Sequence, residues 1–321
     1  MLDGFRVPQC IHTVCTLGLP DDVPNEGIDT SALARISGTE EGALRRLLRA
    51  LSSVGIFETD GADRWQHTAG SRALRKDHPS GLHDRAIGLG ALAWASWGQL
   101  AHSIRTGRPA FDAVHGAPFF AVLQRHPPYA EAFGRTMSSW TRQTARDVLD
   151  AFSFAGIEHL VDIGGGHGIM LDAILAATPA MRATLIDRPE VIEAAAPALQ
   201  DPQRSRCKLV ALDAFADPIP AADAYLLSWI LHDWDDHQCV DLLARCVRSN
   251  TNARIIVVEM LLDHPTASTA ATWFDLEMLV QTGGRERTLA EYADLFARAG
   301  RPGLDCTHTR GTHSVLVSTN P

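Results

Sequence analysis

The sequence predicts an α/β fold, a doubly wound parallel sheet preceded by an N-terminal, essentially all-helical domain. Three observations carry that reading. From His159 onward, short apolar runs alternate with helical segments, the rhythm of β-α-β units. The first of those runs enters a glycine-rich loop. Before them lies a stretch of capped amphipathic helices with one small β element. At 321 residues the chain is long enough for two cores, expected as 1–95 and 96–321, with leading helices over 96–155.

Taken in order, Thr30-Ser31 followed by Ala32, Leu33 and Ile36 reads as a short capped helix ending at Gly38. Thr39 caps a second helix, with Leu44, Leu47, Leu48, Leu51 and Val54 as one apolar stripe and Arg45, Arg46 and Arg49 on its other side. Gly55-Ile-Phe-Glu-Thr and Arg64-Trp-Gln-His-Thr, separated by a Gly/Asp turn, read as the two strands of a wing. Helix, turn, helix and wing describe a winged helix. Such units often bind DNA, yet 8 basic against 5 acidic residues over 30–76 is weak support for phosphate contacts. Many serve only as interaction modules.

Amphipathic segments follow over about 81–106 and 129–154, separated by breaks at Gly107-Arg-Pro and His126-Pro-Pro. Trp94 and Trp97 share a helical face, as do Met137 and Trp140. Aromatics at that spacing are most often core, and sometimes the wall of a ligand pocket. The predicted strands then run through His159-Leu-Val-Asp-Ile, Arg182-Ala-Thr-Leu-Ile, Lys208-Leu-Val-Ala-Leu, Ala224-Tyr-Leu-Leu-Ser and Arg254-Ile-Ile-Val-Val-Glu. A helix over about 168–177 links the first two. In parallel sheets ligands bind beyond the carboxyl ends of the strands, so residues placed there carry the chemistry.

The loop Asp162-Ile-Gly164-Gly165-Gly166-His-Gly168 lacks the dinucleotide fingerprint, because the last required glycine position holds Ile169. No Gly-Lys-Ser/Thr follows it either, so it is not a phosphate loop. Its glycines allow close backbone approach by a ligand. Asp187 ends the second strand, where a carboxylate can accept both hydroxyls of a ribose. Asp213 ends the third, beside Phe215, a pairing suited to the amino group and ring face of an adenine. Each acid alone reads as a cap or turn residue. The ordered series describes a site for adenosine carried by something other than a pyrophosphate, and S-adenosylmethionine fits.

Leu231-His232-Asp233-Trp-Asp235-Asp236 follows directly on the fourth strand. Asp235-Asp236 reads as a helix N-terminus. His232, just past a strand's carboxyl end, is a candidate general base with an ordinary pKa of roughly 6.5. Glu259 ends the fifth strand at the same edge, and Glu286 lies in Gly283-Gly-Arg-Glu-Arg-Thr288. Carboxylates near an imidazole fix its tautomer and stabilise the imidazolium. For Glu286, a cap on the following helix is an equal reading.

Composition excludes several classes. Lys+Arg 29 against Asp+Glu 38 gives −9, a poor general polyanion binder. No apolar run nears the roughly 18 residues of a membrane span; the best is 89–97. The start has no basic-then-apolar signal pattern. The cysteines at 10, 15, 207, 239, 246 and 306 form no C-x-x-C pair, which argues against zinc knuckles and redox sites. Buried free thiols in a reduced cytoplasm are expected.

Together, Ala43-Leu-Arg-Arg-Leu-Leu-Arg, Val161-Asp-Ile-Gly-Gly-Gly-His-Gly, Leu231-His-Asp-Trp-Asp-Asp and Gly283-Gly-Arg-Glu-Arg-Thr resemble the S-adenosylmethionine-dependent O-methyltransferases of the plant caffeate type and their bacterial antibiotic-pathway relatives, of which the acetylserotonin enzymes are one branch. The match runs nearly end to end. The resemblance implies a Rossmann-like methyltransferase sheet and a winged-helix dimerisation domain. It implies a cofactor site at Gly164, Gly165, Gly166, Asp187, Asp213, Phe215, Ser228 and Trp229. His232 would be the base, flanked by Glu259 and Glu286. Asp275 and Met278, on a helix over about 273–282, would line the pocket of an aromatic small-molecule acceptor together with Met137, Trp140 and Asp233. S-adenosylhomocysteine would be the product, no metal would be needed, and the enzyme would be a homodimer with no nucleic-acid or membrane partner.

Three features depart from the pattern. Ser228 stands where plant members carry lysine, Arg188 where leucine is usual after the ribose acid, and little sequence precedes Phe5, so part of the first dimer helix is expected to be missing. The alternatives are C- or N-methylation on the same fold, a winged-helix DNA-binding regulator, and a metal-assisted reaction on His232, Asp233 and His237.

Overall fold

The computed structural model describes residues 2–61, 63–195, 199 and 201–319. By their contacts they form two compact units, Met1–Ala95 with His126–Ser139, and Ser96–Arg125 with Trp140–Pro321.

In the first unit, β1 (Ile28–Asp29), β2 (Glu58–Thr59) and β3 (Arg64–Gln66) form a small antiparallel sheet in the order β1-β3-β2. The two wing strands were legible; β1, only two residues long, was not. The helix Thr30–Ser37 is capped by Asp29, whose carboxylate accepts the Ala32 N–H at 2.7 Å, and stops at Gly38. Neither Thr30 nor Ser31 caps it. The next helix, Glu41–Ser52, is capped by Glu40 rather than Thr39, because that carboxylate reaches both the Gly42 and Ala43 N–H groups. An anion at a helix N-terminus also meets the favourable end of its dipole. Leu44, Leu48 and Leu51 pack with Val14, Leu33, Phe57 and Trp65 as the core, whereas Val54 is half exposed and lies outside the stripe.

Part of the basic set of this unit is engaged within the fold, although Arg35, Arg46, Arg49 and Lys76 are exposed. Arg45 holds Asp63 in a two-pronged pair at 2.8 Å and also pairs with Glu41, and it holds the Asp63 carboxyl down at about 2. Arg64 donates to the Glu26 carbonyl and Arg72 to that of His67. Three of the cations counted for phosphate contacts are thus engaged within the fold.

The amphipathic stretch after residue 81 is broken into Leu82–Gly88, a π-type turn Leu89–Ala93, then Trp94–Trp97 and Leu100–Thr106. Gly88 and Gly90 weaken the α-helix there. By contrast Pro127–Ala151 is one continuous 25-residue helix, opened by prolines in its first turn, where no N–H is needed.

The second unit is built on a seven-stranded sheet: β4 (His159–Ile163), β5 (Arg182–Asp187), β6 (Cys207–Ala211), β7 (Ala224–Ser228), β8 (Arg254–Met260), β9 (Gly303–His308) and β10 (His313–Thr319), ordered β6-β5-β4-β7-β8-β10-β9. The five expected strands run parallel. The sheet as a whole is not: β10 joins β8 and β9 antiparallel. Sheet order reverses between β4 and β7, the switch point at which doubly wound sheets open a crevice. Apolar residues of all five parallel strands fill the two faces of the core.

Candidate active site

The loop after β4 is shaped by its own backbone. The Gly164 N–H donates to the Ile186 carbonyl and the Gly168 N–H to that of Gly165. Gly166 has φ +58, and a Cβ built on it meets only open space, so the loop presents bare backbone at the sheet edge. Its N–H donates to Asp187 Oδ2 at 2.9 Å, and Oδ1 accepts the Arg188 N–H at 2.7 Å. Burial raises the Asp187 carboxyl above its ordinary range. Asp187 thus stands beside the glycine loop as the strand pattern predicts. Asp213 lies two residues beyond β6 rather than at its end. It is exposed and accepts the N–H of Phe215, which is the turn geometry the plainer reading of that acid anticipates.

The buried polar groups without a hydrogen-bond partner among the described residues include the Asp162 carboxyl on β4 and the Ser228 hydroxyl closing β7. Burial, with the charge of Asp187, pushes Asp162 up to about 7. Buried polar atoms are ordinarily satisfied, and both of these lie on the two strands that flank the switch point.

His232 sits on a 3₁₀ turn, Leu231–Asp233, immediately after β7 and Trp229. Its Nδ1 donates to Glu286 Oε1 at 2.8 Å, and Glu259 Oε2 lies 3.7 Å away. All three side chains are buried. Burial pushes the imidazole pKa down, but Glu259, Glu286 and Asp233 outweigh it and hold the ring up at about 10. Burial in turn raises Glu259 above the usual carboxylate range, against the pull of His232. Burial likewise pushes Asp233 up to about 6. Glu259 has a second task, since its Oε1 accepts the N–H groups of Ile230 and Leu231 at 2.9 and 2.8 Å. Of the two readings of Glu286, the cap is overturned: the following helix, Leu289–Arg298, is capped by Thr288 with Glu291.

The run 284–287 is zipped to the base-bearing loop. The Arg285 N–H donates to the His232 carbonyl at 2.8 Å. A Cβ on Gly284 would collide with that same carbonyl. Arg287 is fully buried and donates to the carbonyls of Leu231 (3.0 Å) and Trp234 (2.9 Å) and to Asp236 Oδ1 at 2.7 Å. It grips the loop on both sides of His232, a role with no separate signal in sequence. The Glu286 N–H donates to Asp275 Oδ1 at 3.0 Å, which ties the zipper to the helix Ser268–Gln281.

That helix also carries Phe274 and the buried Met278. Trp229 packs on Phe274 (5.7 Å between ring centroids), Trp140 (5.9 Å), His232 (5.6 Å) and His313 (4.4 Å). Trp229, expected among the cofactor residues, packs against Trp140, expected at the acceptor. Its backbone is left-handed, φ 59, a conformation that costs a bulky residue about 1–3 kcal/mol. Met137 belongs to the first unit. His313 escaped sequence reading altogether, because β9 and β10 did. Among the described residues the cluster with metal-ligand spacing is His232, Glu259 and Glu286, not His232, Asp233 and His237; the last is exposed.

Residues 97–302 match the model of the O-methyltransferase domain, and residues 1–77 that of the O-methyltransferase dimerisation domain. The chain is 32% identical to the phenazine O-methyltransferase PhzM of Lysobacter antibioticus, over 94% of this chain and 89% of that protein. It is 36% identical to the mitomycin biosynthesis 6-O-methyltransferase of Streptomyces lavendulae, over 94% and 87%. Among solved structures it is similar to NcsB1, an O-methyltransferase from neocarzinostatin biosynthesis in complex with S-adenosylmethionine and a hydroxy-methyl naphthoic acid. There the TM-score is 0.84 at 32% identity, covering 98% of this chain and 96% of that one. No helix of the described residues is long and apolar enough to cross a membrane. The chain belongs to the family of S-adenosylmethionine-dependent O-methyltransferases that carry an N-terminal dimerisation domain.

Proposed function

We propose that this enzyme methylates a hydroxyl of an aromatic small molecule in secondary-metabolite biosynthesis, with His232 as general base. The observation that carries the proposal is the His232–Glu286 hydrogen bond of 2.8 Å at the carboxyl end of β7. A carboxylate on Nδ1 fixes the proton there and leaves Nε2 as the basic nitrogen. The residues at the switch point fit the cofactor, since open backbone at Gly166, the Asp187 carboxylate and the unpartnered Ser228 hydroxyl supply what a nucleoside needs. Gly164, Gly165 and Gly166 would border it, Asp187 would take the ribose, Asp213 and Phe215 the adenine, and Ser228 a polar edge. S-adenosylmethionine, when bound, supplies an electrophilic methyl on a sulfonium.

The rest is the work of the chain. His232 withdraws the acceptor's hydroxyl proton, and Glu259 and Glu286 stabilise the resulting imidazolium. An imidazole held near 10 matches a phenol of roughly the same pKa, so the proton moves with little energetic cost. Trp140, Trp229, Phe274 and Met278 offer apolar walls that exclude water from the reacting groups. Relatives acting on phenazine and mitomycin scaffolds, and the naphthoate in the NcsB1 complex, support an aromatic acceptor. The dimerisation domain supports a homodimer, six unpaired cysteines support a reduced cytoplasmic setting, and the net charge of −9 argues against a nucleic-acid partner.

The test is incubation with labelled S-adenosylmethionine and a panel of phenols, naphthoates and polyketides. Label should appear as a methyl ether. His232→Ala should lower kcat by about 10²–10⁴-fold while the cofactor Kd stays within a few-fold. Label transferred to no phenol, or equal loss of turnover and cofactor affinity in the variant, would refute the assignment.

A further inference from the structure

Beside the base lies a second polar feature that the mechanism leaves unused. The His313 imidazole opens β10, in register with Met260 and one position from Ser314 opposite Glu259. It is buried. Its Nδ1 is 3.1 Å from Thr312 Oγ1, whereas its Nε2 has no partner among the described residues. The ring lies 4.4 Å from that of Trp229, whose indole N–H is also buried without a partner. Trp229 in turn meets the His232 ring edge-on at 5.6 Å.

A buried polar atom left unsatisfied is expensive, and native folds seldom keep two in touching rings. The Trp229 ring also packs on Trp140 and Phe274, the aromatic residues that wall the proposed acceptor site. Their chemistry is selective. An indole N–H can only donate, so the matching ligand atom must be an acceptor. Burial and the neighbouring His232 and His264 press the His313 pKa down to about 3. It therefore stays neutral when His232 is charged, and does not compete for the acceptor's proton. An adjacent imidazolium favours an oxygen carrying negative or partial negative charge.

We infer that Trp229 Nε1 and His313 Nε2 form a polar anchor for a second oxygen on the aromatic acceptor, a carboxylate or a carbonyl next to the hydroxyl that is methylated. The inference rests on the reading of His232 as the base and names the substrate class of that site. The anchor orients the ring so that the hydroxyl meets His232 Nε2, and acceptors lacking the second oxygen leave two buried groups unpaired.

The experiment compares three ligands, a naphthol, the hydroxynaphthoate that adds a carboxylate, and the hydroxynaphthyl ketone that adds a carbonyl. Their Kd values are measured by calorimetry on the protein loaded with S-adenosylhomocysteine, and kcat/KM with labelled S-adenosylmethionine. Wild type should favour an oxygen-bearing ligand by roughly ten- to a hundredfold in both readouts. His313→Phe and Trp229→Phe, which keep a ring but remove the polar atom, should bring the ratio near one, mostly through Kd and KM. His313→Asn, which restores a side-chain donor, should recover part of it. A general loss of packing lowers all affinities together and leaves the ratio in place. A ratio near one in wild type, or a wild-type ratio retained in both ring-preserving variants, overturns the anchor. Methyl transfer to none of the three by wild type, under conditions where cofactor binds, overturns instead the function on which the anchor rests.

Discussion

In the proposed reaction the imidazole of His232 takes the acceptor's proton, and its environment makes its titration a signature. With three carboxyl groups holding it near 10, the free enzyme carries an imidazolium at neutral pH and must shed that proton before the ring can act as a base. The kcat/KM of wild type should therefore climb through the alkaline range towards pH 10. Glu286→Gln removes one of the charges that raise the pKa, so the rising limb should move to lower pH while the plateau falls, about tenfold or more. A pH–rate profile of both proteins checks the pair of shifts, and an unmoved limb would contradict the assignment. At this scale sequence reading went far. The positions of Asp187, Glu259 and His232, though not their roles, were legible because residues ending or following a parallel strand are confined to one edge of the sheet. Asp213 was legible only by position, since an exposed turn acid and a ligand-binding acid look alike in a string of letters.

Among the elements, the loop Leu231–Asp233 and the run 284–287 act as one unit although more than fifty positions separate them. Arg287 adds bonds to the carbonyls of Leu231 and Trp234 and to Asp236, on either side of His232. Arg287→Met keeps much of the volume but leaves the Leu231 and Trp234 carbonyls short of a donor, which should cost about 2–4 kcal/mol. For a protein of this size that lowers the Tm by roughly 5–12 °C, readable by calorimetry, and kcat should fall more than cofactor affinity. The motif containing Arg287 was visible in sequence; its grip was not, because two carbonyls a long way back in the chain carry no letter code. Likewise β10 reads as an apolar run, but its partner β9 is polar at the sheet edge, with Asp305, Thr307 and His308 outward. The antiparallel end of the sheet therefore gave little periodic signal. The broken helix after residue 81 shows the opposite failure: amphipathic spacing persists across a π-type turn that glycine makes cheap.

For the whole molecule, the net charge of −9 and the internally paired Arg45 predict no retention on random duplex DNA at physiological salt. Light scattering coupled to size exclusion should return twice the mass of one chain, independent of protein concentration in the micromolar range. A monomer under those conditions would leave the dimerisation domain without its expected task. The change of rhythm at His159 marks where the strands of the large sheet begin, because helical and strand periods differ along any chain. The division by contacts is not a single cut, however, since the stretch around 126–139 groups with the N-terminal helices, and no composition shift announces such a return.

The left-handed Trp229 has an evolutionary corollary. Glycine or asparagine would relax that backbone, so selection for heat resistance alone would drift towards them and discard an indole that braces four neighbouring rings. A thermotolerant descendant still bearing tryptophan there would show that catalysis, not durability, has governed this position.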